Sequence, residues 1–270
     1  MMYEQIDRPR RKQEAAELLR TAQVSPKAMT ALYLSLVVVL NLISSLGGSG
    51  FFSIFISILT TLLSTVLAAG FALYCMAIRR GERAEYLTLF DGFSFVGKLI
   101  LLDLVTGFFV FLWSLLFVIP GIVAIYRYQF AKYNLYENPG IGVMEALDMS
   151  KRQTRGYKLQ LFMLDLSYFG WTLLATFPAL LLNFIINRDL AMSLYLGGTM
   201  PDITSYGGIP LIVWNVGLGL WQLVVSLFYL ANYICVELSY FETAKSTSGA
   251  GKDVQSQSSW DGWNPPDGLG

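Results

Sequence analysis

Five stretches of this chain, residues 29–46, 51–78, 99–119, 161–186 and 209–236, are almost wholly apolar and contain only two ionisable acids, Asp103 and Asp165. A helix crossing a bilayer needs about 20 such residues, because each adds about 1.5 Å to a hydrocarbon layer about 30 Å thick. The pattern therefore constrains the chain to an integral membrane protein. Charged residues make up 14% of the 270 residues, well below the quarter or so expected of a soluble domain.

The basic residues set the count and direction of the spans, since short cytoplasmic loops carry the excess Lys and Arg. Arg8, Arg10, Arg11, Lys12, Arg20 and Lys27 precede the first stretch, and Arg79, Arg80, Arg83 and Lys98 follow the second. Arg127, Lys132, Lys151, Arg152, Arg155 and Lys158 lie between the third and fourth. One crossing over 99–119 would strand that last group outside. A sixth, shorter span over 122–137 repairs the parity, with Pro120-Gly121 as the turn into it. Both termini then lie inside and Arg188 is the one basic residue outside. A re-entrant hairpin over 99–126 gives the loops the same sidedness. The predicted architecture is all-α: a bundle of six transmembrane helices, spans 29–46, 51–78, 99–119, 122–137, 161–186 and 209–236, with short cytoplasmic interfacial helices.

Around this 29–240 membrane domain, residues 1–28 form an amphipathic cytoplasmic segment, with a helix over 10–21 on the inner surface. Residues 86–96, rich in Leu and Phe, and 141–157, where Asp148 precedes Lys151 and Arg152 by three and four residues, read as further interfacial helices. The four residues Gly47 to Gly50 suit a tight turn, and 187–208 form the one sizeable external loop. The tail 241–270 is too poor in aliphatic residues beyond Lys245 to bury a core and is expected to be disordered.

Composition also excludes chemistries. The chain has no histidine, so imidazole bases, imidazole metal ligands and Ser-His-Asp triads are out of reach. Cys75 and Cys235 each sit in an apolar run and read as small hydrophobes. No phosphate loop, nucleophile elbow or paired-cysteine site occurs. The expectation is a non-enzyme with no cofactor and no metal. Net charge is zero and no nucleic-acid partner is expected; the partners are the bilayer and anionic headgroups at its inner face, with a protein partner or a second copy left open.

Charges inside spans are costly and mark candidate sites. Asp103, Asp165, Arg127 and Lys132 form a predicted intramembrane charge cluster. Asn215, Gly219, Gln222 and Ser226 recur at spacings of four and three in the last span and make a polar face, which serves either helix packing or a polar path. Residues 53, 57, 61, 65 and 69 make a small-residue stripe in the second span.

The run Ile119-Pro120-Gly121-Ile122, then Tyr126, Tyr128, Glu137-Asn138-Pro139, Glu145-Ala146, Ser150, Gly156-Tyr157-Lys158 and Phe162, followed by Leu166-Ser167-Tyr168-Phe169-Gly170-Trp171, resembles domain-of-unknown-function family 975. Those are multi-pass membrane proteins mainly of Firmicutes. Thr154 stands where the family commonly has methionine. The resemblance implies a six-helix bundle in a Gram-positive plasma membrane and brings no activity or catalytic residues. Beside it, Pro120-Gly121 reads as a turn, and Ser167, Gly170 and Trp171 as an interhelical contact in which Gly170 permits close approach. The leading functional expectation is an envelope scaffold or accessory subunit. The alternative is a small transporter or channel component using the charge cluster and the polar face.

Overall fold

The computed structural model describes residues 5–46, 50–196, 205–206 and 209–248. It is all-helical apart from a two-residue antiparallel pairing of Ser205–Tyr206 with Ile209–Pro210. In chain order the helices are α1 (Arg8–Thr21), α2 (Pro26–Leu46), α3 (Phe51–Arg80), a 3-10 segment (Tyr86–Phe95), α4 (Val96–Leu116), α5 (Val118–Tyr128), α6 (Ala131–Glu137), α7 (Val143–Gln153), α8 (Lys158–Tyr195) and α9 (Leu211–Ser248). Five of these stretches are long and apolar enough to cross a membrane: Pro26–Ser45, Phe51–Arg80, Tyr86–Leu116, Lys158–Ser193 and Ile212–Ser248. The described residues form two compact units. One contains Leu101–Phe162 and the chain ends before Arg8 and after Val236; the other contains Arg8–Ile100 and Met163–Val236.

In the second unit, α3 is the centre of packing. Tyr33 of α2 stacks on Phe71 with ring centroids 5.1 Å apart, and the 3-10 segment lies across Gly70, where a Cβ would collide with the backbone carbonyl of Leu89. Gly92 meets the Val66 carbonyl in the same way. The close approaches on α3 thus run through Gly70 and Ala69, which is fully buried. The 3-10 segment divides its apolar residues: Leu89 and Phe95 are buried, while Leu87, Phe90 and Phe93 stay exposed. α3 stops at Gly81, whose φ of 70° is left-handed, with the N–H groups of Gly81 and Glu82 returning to the Ile78 and Ala77 carbonyls.

α1 is bound to the helices rather than only to a surface. Ala15 is buried. Arg8 donates to the Met163 carbonyl at 3.1 Å, Asn232 donates to the Lys12 carbonyl at 3.2 Å, and the Lys12 ammonium stands 3.9 Å above the Tyr168 ring. Burial, reinforced by the Arg8 charge, pulls the Lys12 pKa below its ordinary value. Because the folded state then holds this proton less tightly than the unfolded chain, the group weakens the fold as pH falls from its unfolded pKa through its lowered one.

In the first unit the chain makes a hairpin. The turn falls at Phe117, which is extended (φ −161°, ψ 154°), and not at Pro120-Gly121. Pro120 occupies the first turn of α5, where backbone N–H groups have no helical partner and a missing donor costs nothing. Gly121 lets α5 approach Ser114, whose side chain would meet a Cβ there. Walking away from the turn, Phe109 stacks on Tyr128 with centroids 5.9 Å apart, and Asp103 meets Lys132 at 3.3 Å. The returning arm therefore runs antiparallel to α4. It is broken between Tyr128 and Ala131 rather than forming one helix over 122–137.

Other expectations shift as well. α8 runs to Tyr195, so much of the predicted external loop is helix, and Arg188 pairs there with Asp189 at 2.9 Å. Gly170 has no atom within 4 Å of a would-be Cβ and is no close-approach site. α9 continues to Ser248; the rest of the tail, the turn residues 47–49 and residues 197–204 lie outside the described residues.

Gly70→Val should lower the thermal midpoint of the purified protein, since overpacking costs about 1–3 kcal/mol and here the obstacle is backbone. Gly217→Ala, with open space around it, should leave the midpoint unchanged or raise it.

Candidate functional site

Three polar constellations stand out, and they differ in whether their groups are already satisfied. The first lies in the unit built on α5, α6 and α7. Glu237 is buried and accepts hydrogen bonds from Gln129 Nε2 and Tyr133 Oη, both at 2.7 Å. Asn134 and Gln153 exchange amide hydrogen bonds at 2.9 and 2.8 Å, and both are buried. Ser150 and Thr154 donate to the Arg127 carbonyl at 2.9 and 3.3 Å, which bonds α7 to the end of α5. Lys245 closes the body by donating to Glu137 at 2.6 Å. These residues fasten helices to each other. Sequence reasoning missed Glu237 because it sits just past the last apolar window, and nothing in its spacing announces Gln129 or Tyr133 as partners.

The predicted charge cluster is divided. Lys132 meets Asp103, with both side chains partly exposed. Asp165 belongs to the other unit, where it accepts from Tyr233 Oη at 2.8 Å. The Arg127 guanidinium lies 5.9 Å from the Tyr128 ring. Asp165 is part of an aromatic contact between α8 and α9. Tyr168 packs edge-on against Tyr233 and donates to Asn232. Trp171 stacks on Tyr229, and Trp221 donates to the Leu174 carbonyl at 3.0 Å. Ser167 donates back to Leu164 within its own helix. The interhelical role read for this motif thus falls to Tyr168 and Trp171.

The third constellation is a cavity of about 430 Å³ among α2, α8 and α9. Asn41, Thr176, Asn183, Asn215 and Gln222 line it among apolar residues, and none of its lining residues is charged. Gly219 gives it its floor: a Cβ there would press on the Val38 methyls at 3.2 Å, so α9 sits close to α2 between the two amides. Asn183 donates to the Ala179 carbonyl of its own helix at 2.9 Å. The carboxamides of Asn41, Asn215 and Gln222 make no hydrogen bond among the described residues. Asn215 is in the first turns of α9 and Gln222 about 10 Å further along, near the middle of a 30 Å span. Ser226, one turn on, is buried outside this lining. The polar face of α9 was readable as periodicity. Asn41 and Asn183 were visible only as single amides in apolar windows, and their convergence needed the packing of α2 and α8.

Cys75 of α3 and Cys235 of α9 are both free thiols and buried. Among the described residues no group of three or more acidic or cysteine side chains is placed to hold a metal.

A family model described as "Protein of unknown function (DUF975)" matches residues 2–131 and 115–247. The chain belongs to the DUF975 family. Pro120 and Gly121, shared by the two matched segments, lie in the first turn of α5. No curated protein matches this DUF975 chain, and no solved structure does. Its helices and its family make it a membrane protein of uncharacterised activity.

The Asn134–Gln153 pair gives a direct test of the first constellation. Asn134→Leu or Gln153→Leu alone should cost about 1–3 kcal/mol by leaving a buried amide unsatisfied. The double variant should cost less than the sum of the two, as read by thermal or denaturant melting of the purified protein.

Proposed function

We propose that this protein is a non-enzymatic, multi-pass component of a Gram-positive plasma membrane that takes a polar, uncharged solute into the cavity among α2, α8 and α9. The observation that carries the reading is that Asn41, Asn215 and Gln222 face a common space at span depth without a protein partner. An amide left without a hydrogen bond in an apolar medium costs several kcal/mol, so such groups are held by water or by a ligand. The absence of charge around the cavity favours a neutral hydrogen-bonding solute over an ion. This is the transporter or channel alternative, with the amides in place of the Asp/Lys/Arg cluster as its working groups.

The topology belongs to the same proposal: six crossings, both termini cytoplasmic, and short interfacial helices at the inner face. Support comes from the clustering of the basic residues, which this topology puts inside except for Arg188, and from the α4–α5–α6 hairpin, which returns toward its starting side. An accessory or scaffold role is the second reading. It is favoured by the α6–α7 body that Lys245 ties to the end of α9, a ready platform on the inner face.

Proteoliposomes carrying the full chain should reswell in glycerol or sorbitol faster than empty vesicles by stopped-flow light scattering. Asn215→Leu combined with Gln222→Leu should return the rate to background, while removal of residues 249–270 should leave it unchanged. Equal rates in wild-type and empty vesicles would overturn the transport reading and promote the scaffold one. For topology, single cysteines at Ser49, Val118, Asn138, Thr199 and Ser256, in a chain lacking Cys75 and Cys235, should label from outside only at Ser49, Val118 and Thr199.

A further inference from the structure

A second, larger cavity of about 630 Å³ opens where the α1–α2 connection faces α9, and its lining combines cationic, amide and apolar side chains. Arg20, Gln23 and Lys27 stand at the end nearer the connection. Leu227, Phe228, Ala231 and Asn232 line it from α9, and Ala16 and Leu19 of α1, with further residues of the connection, complete the lining. Phe228 is one helical turn, about 6 Å, further into the span than Asn232, and it is 65% exposed. The site is preformed. Asn232 holds the α1 backbone at Lys12, and Tyr74 donates to the Val24 carbonyl at 2.9 Å, fixing the connection.

The cations at this cleft differ from the others on α1. Arg10 and Arg11 pair with Glu14, Arg8 donates to a carbonyl, and Lys12 is taken up by Tyr168. Arg20 and Lys27 have no acidic partner among the described residues, and both are exposed at the cleft. We propose that this cleft is a binding site for one anionic phospholipid of the inner leaflet. Its phosphate sits between Arg20 and Lys27, its ester region lies near Asn232, and an acyl chain lies along Leu227 and Phe228. The order of polarity, from cation through amide to exposed hydrocarbon, matches a lipid entering from the interface. A free phosphate would use only the first part. The site goes beyond the solute cavity and rests on the inner placement of α1 alone.

The test is native mass spectrometry of the full-length protein released from nanodiscs containing phosphatidylglycerol and phosphatidylcholine. Wild type should retain one phosphatidylglycerol in preference to phosphatidylcholine. Arg20→Gln with Lys27→Gln should reduce that retention by on the order of thirty-fold, two protein cations facing the phosphate being lost. Arg20→Lys with Lys27→Arg should keep it, and Phe228→Ser should weaken it with both cations in place. Melting curves matching wild type identify the variants that remain folded. Three results would overturn the proposal. Arg10→Gln with Arg11→Gln lowering retention as much would show diffuse surface attraction. Displacement of the lipid by inorganic phosphate or glycerol phosphate at concentrations that neutralise neither surface would show a simple anion site. No preference between the two lipids would show no site.

Discussion

Hydrocarbon supplies no hydrogen-bond partner, so every polar group at span depth must find one within the protein or hold a polar visitor. The helices meet this demand first through their own backbones, and the side chains then follow the same accounting. Thr60, Thr61 and Ser64 of α3 donate back to carbonyls one turn earlier, as do Thr172 and Thr176 of α8. Asp165 takes Tyr233, and Tyr168 takes Asn232. Against that background Asn41, Asn215 and Gln222, three carboxamides without a protein partner among the described residues, converge on one cavity, and that convergence locates the candidate site.

The same demand explains how helices that share no hydrophobic driving force in lipid are held together. Van der Waals contact and shape must suffice, so contact is made where side chains are smallest or flattest. Gly70 under the 3-10 segment, Gly121 against Ser114 and Gly219 against Val38 are places where backbone comes near its neighbour. Between α8 and α9 the work falls to rings: Tyr168 packs edge-on against Tyr233 and at a tilt against Tyr229, which stacks on Trp171. In the α5–α7 body the buried amides of Asn134 and Gln153 bond each other and the buried Glu237 carboxylate takes two donors, contacts that fasten these helices together.

α1 shows how a polar leader becomes part of such a fold. Its cations divide into those consumed by internal partners and those left at a cleft, and the division follows position on the helix. Arg8 and Lys12 face α8, Arg10 and Arg11 face Glu14, and Arg20 with Lys27 flank the connection to α2. Positive charge near a membrane attracts acidic lipids wherever it is. A cleft with an apolar wall converts that general attraction into a place for one molecule.

The sequence by itself determined the class of the protein, its apolar helices, the family to which it belongs and the residue types its chemistry must do without. Hydrophobic length and the absence of histidine are properties of the chain that need no partner to be read. It also made α9's polar face visible, because a helix repeats every 3.6 residues whatever it packs against. Only the tertiary structure decided which residues meet. The turn falls at Phe117 because Pro120 and Gly121 are worth more inside the first turn of α5, where one lacks an unneeded donor and the other admits Ser114. Asp103 and Lys132 come together because a hairpin lays them side by side, while Asp165 goes to Tyr233. Asn41 and Asn183 join Asn215 and Gln222 only because α2 and α8 both pack on α9 around Gly219. Such meetings depend on long-range packing, and a one-dimensional pattern of residues carries the period of each helix but not the angle at which it faces its neighbours.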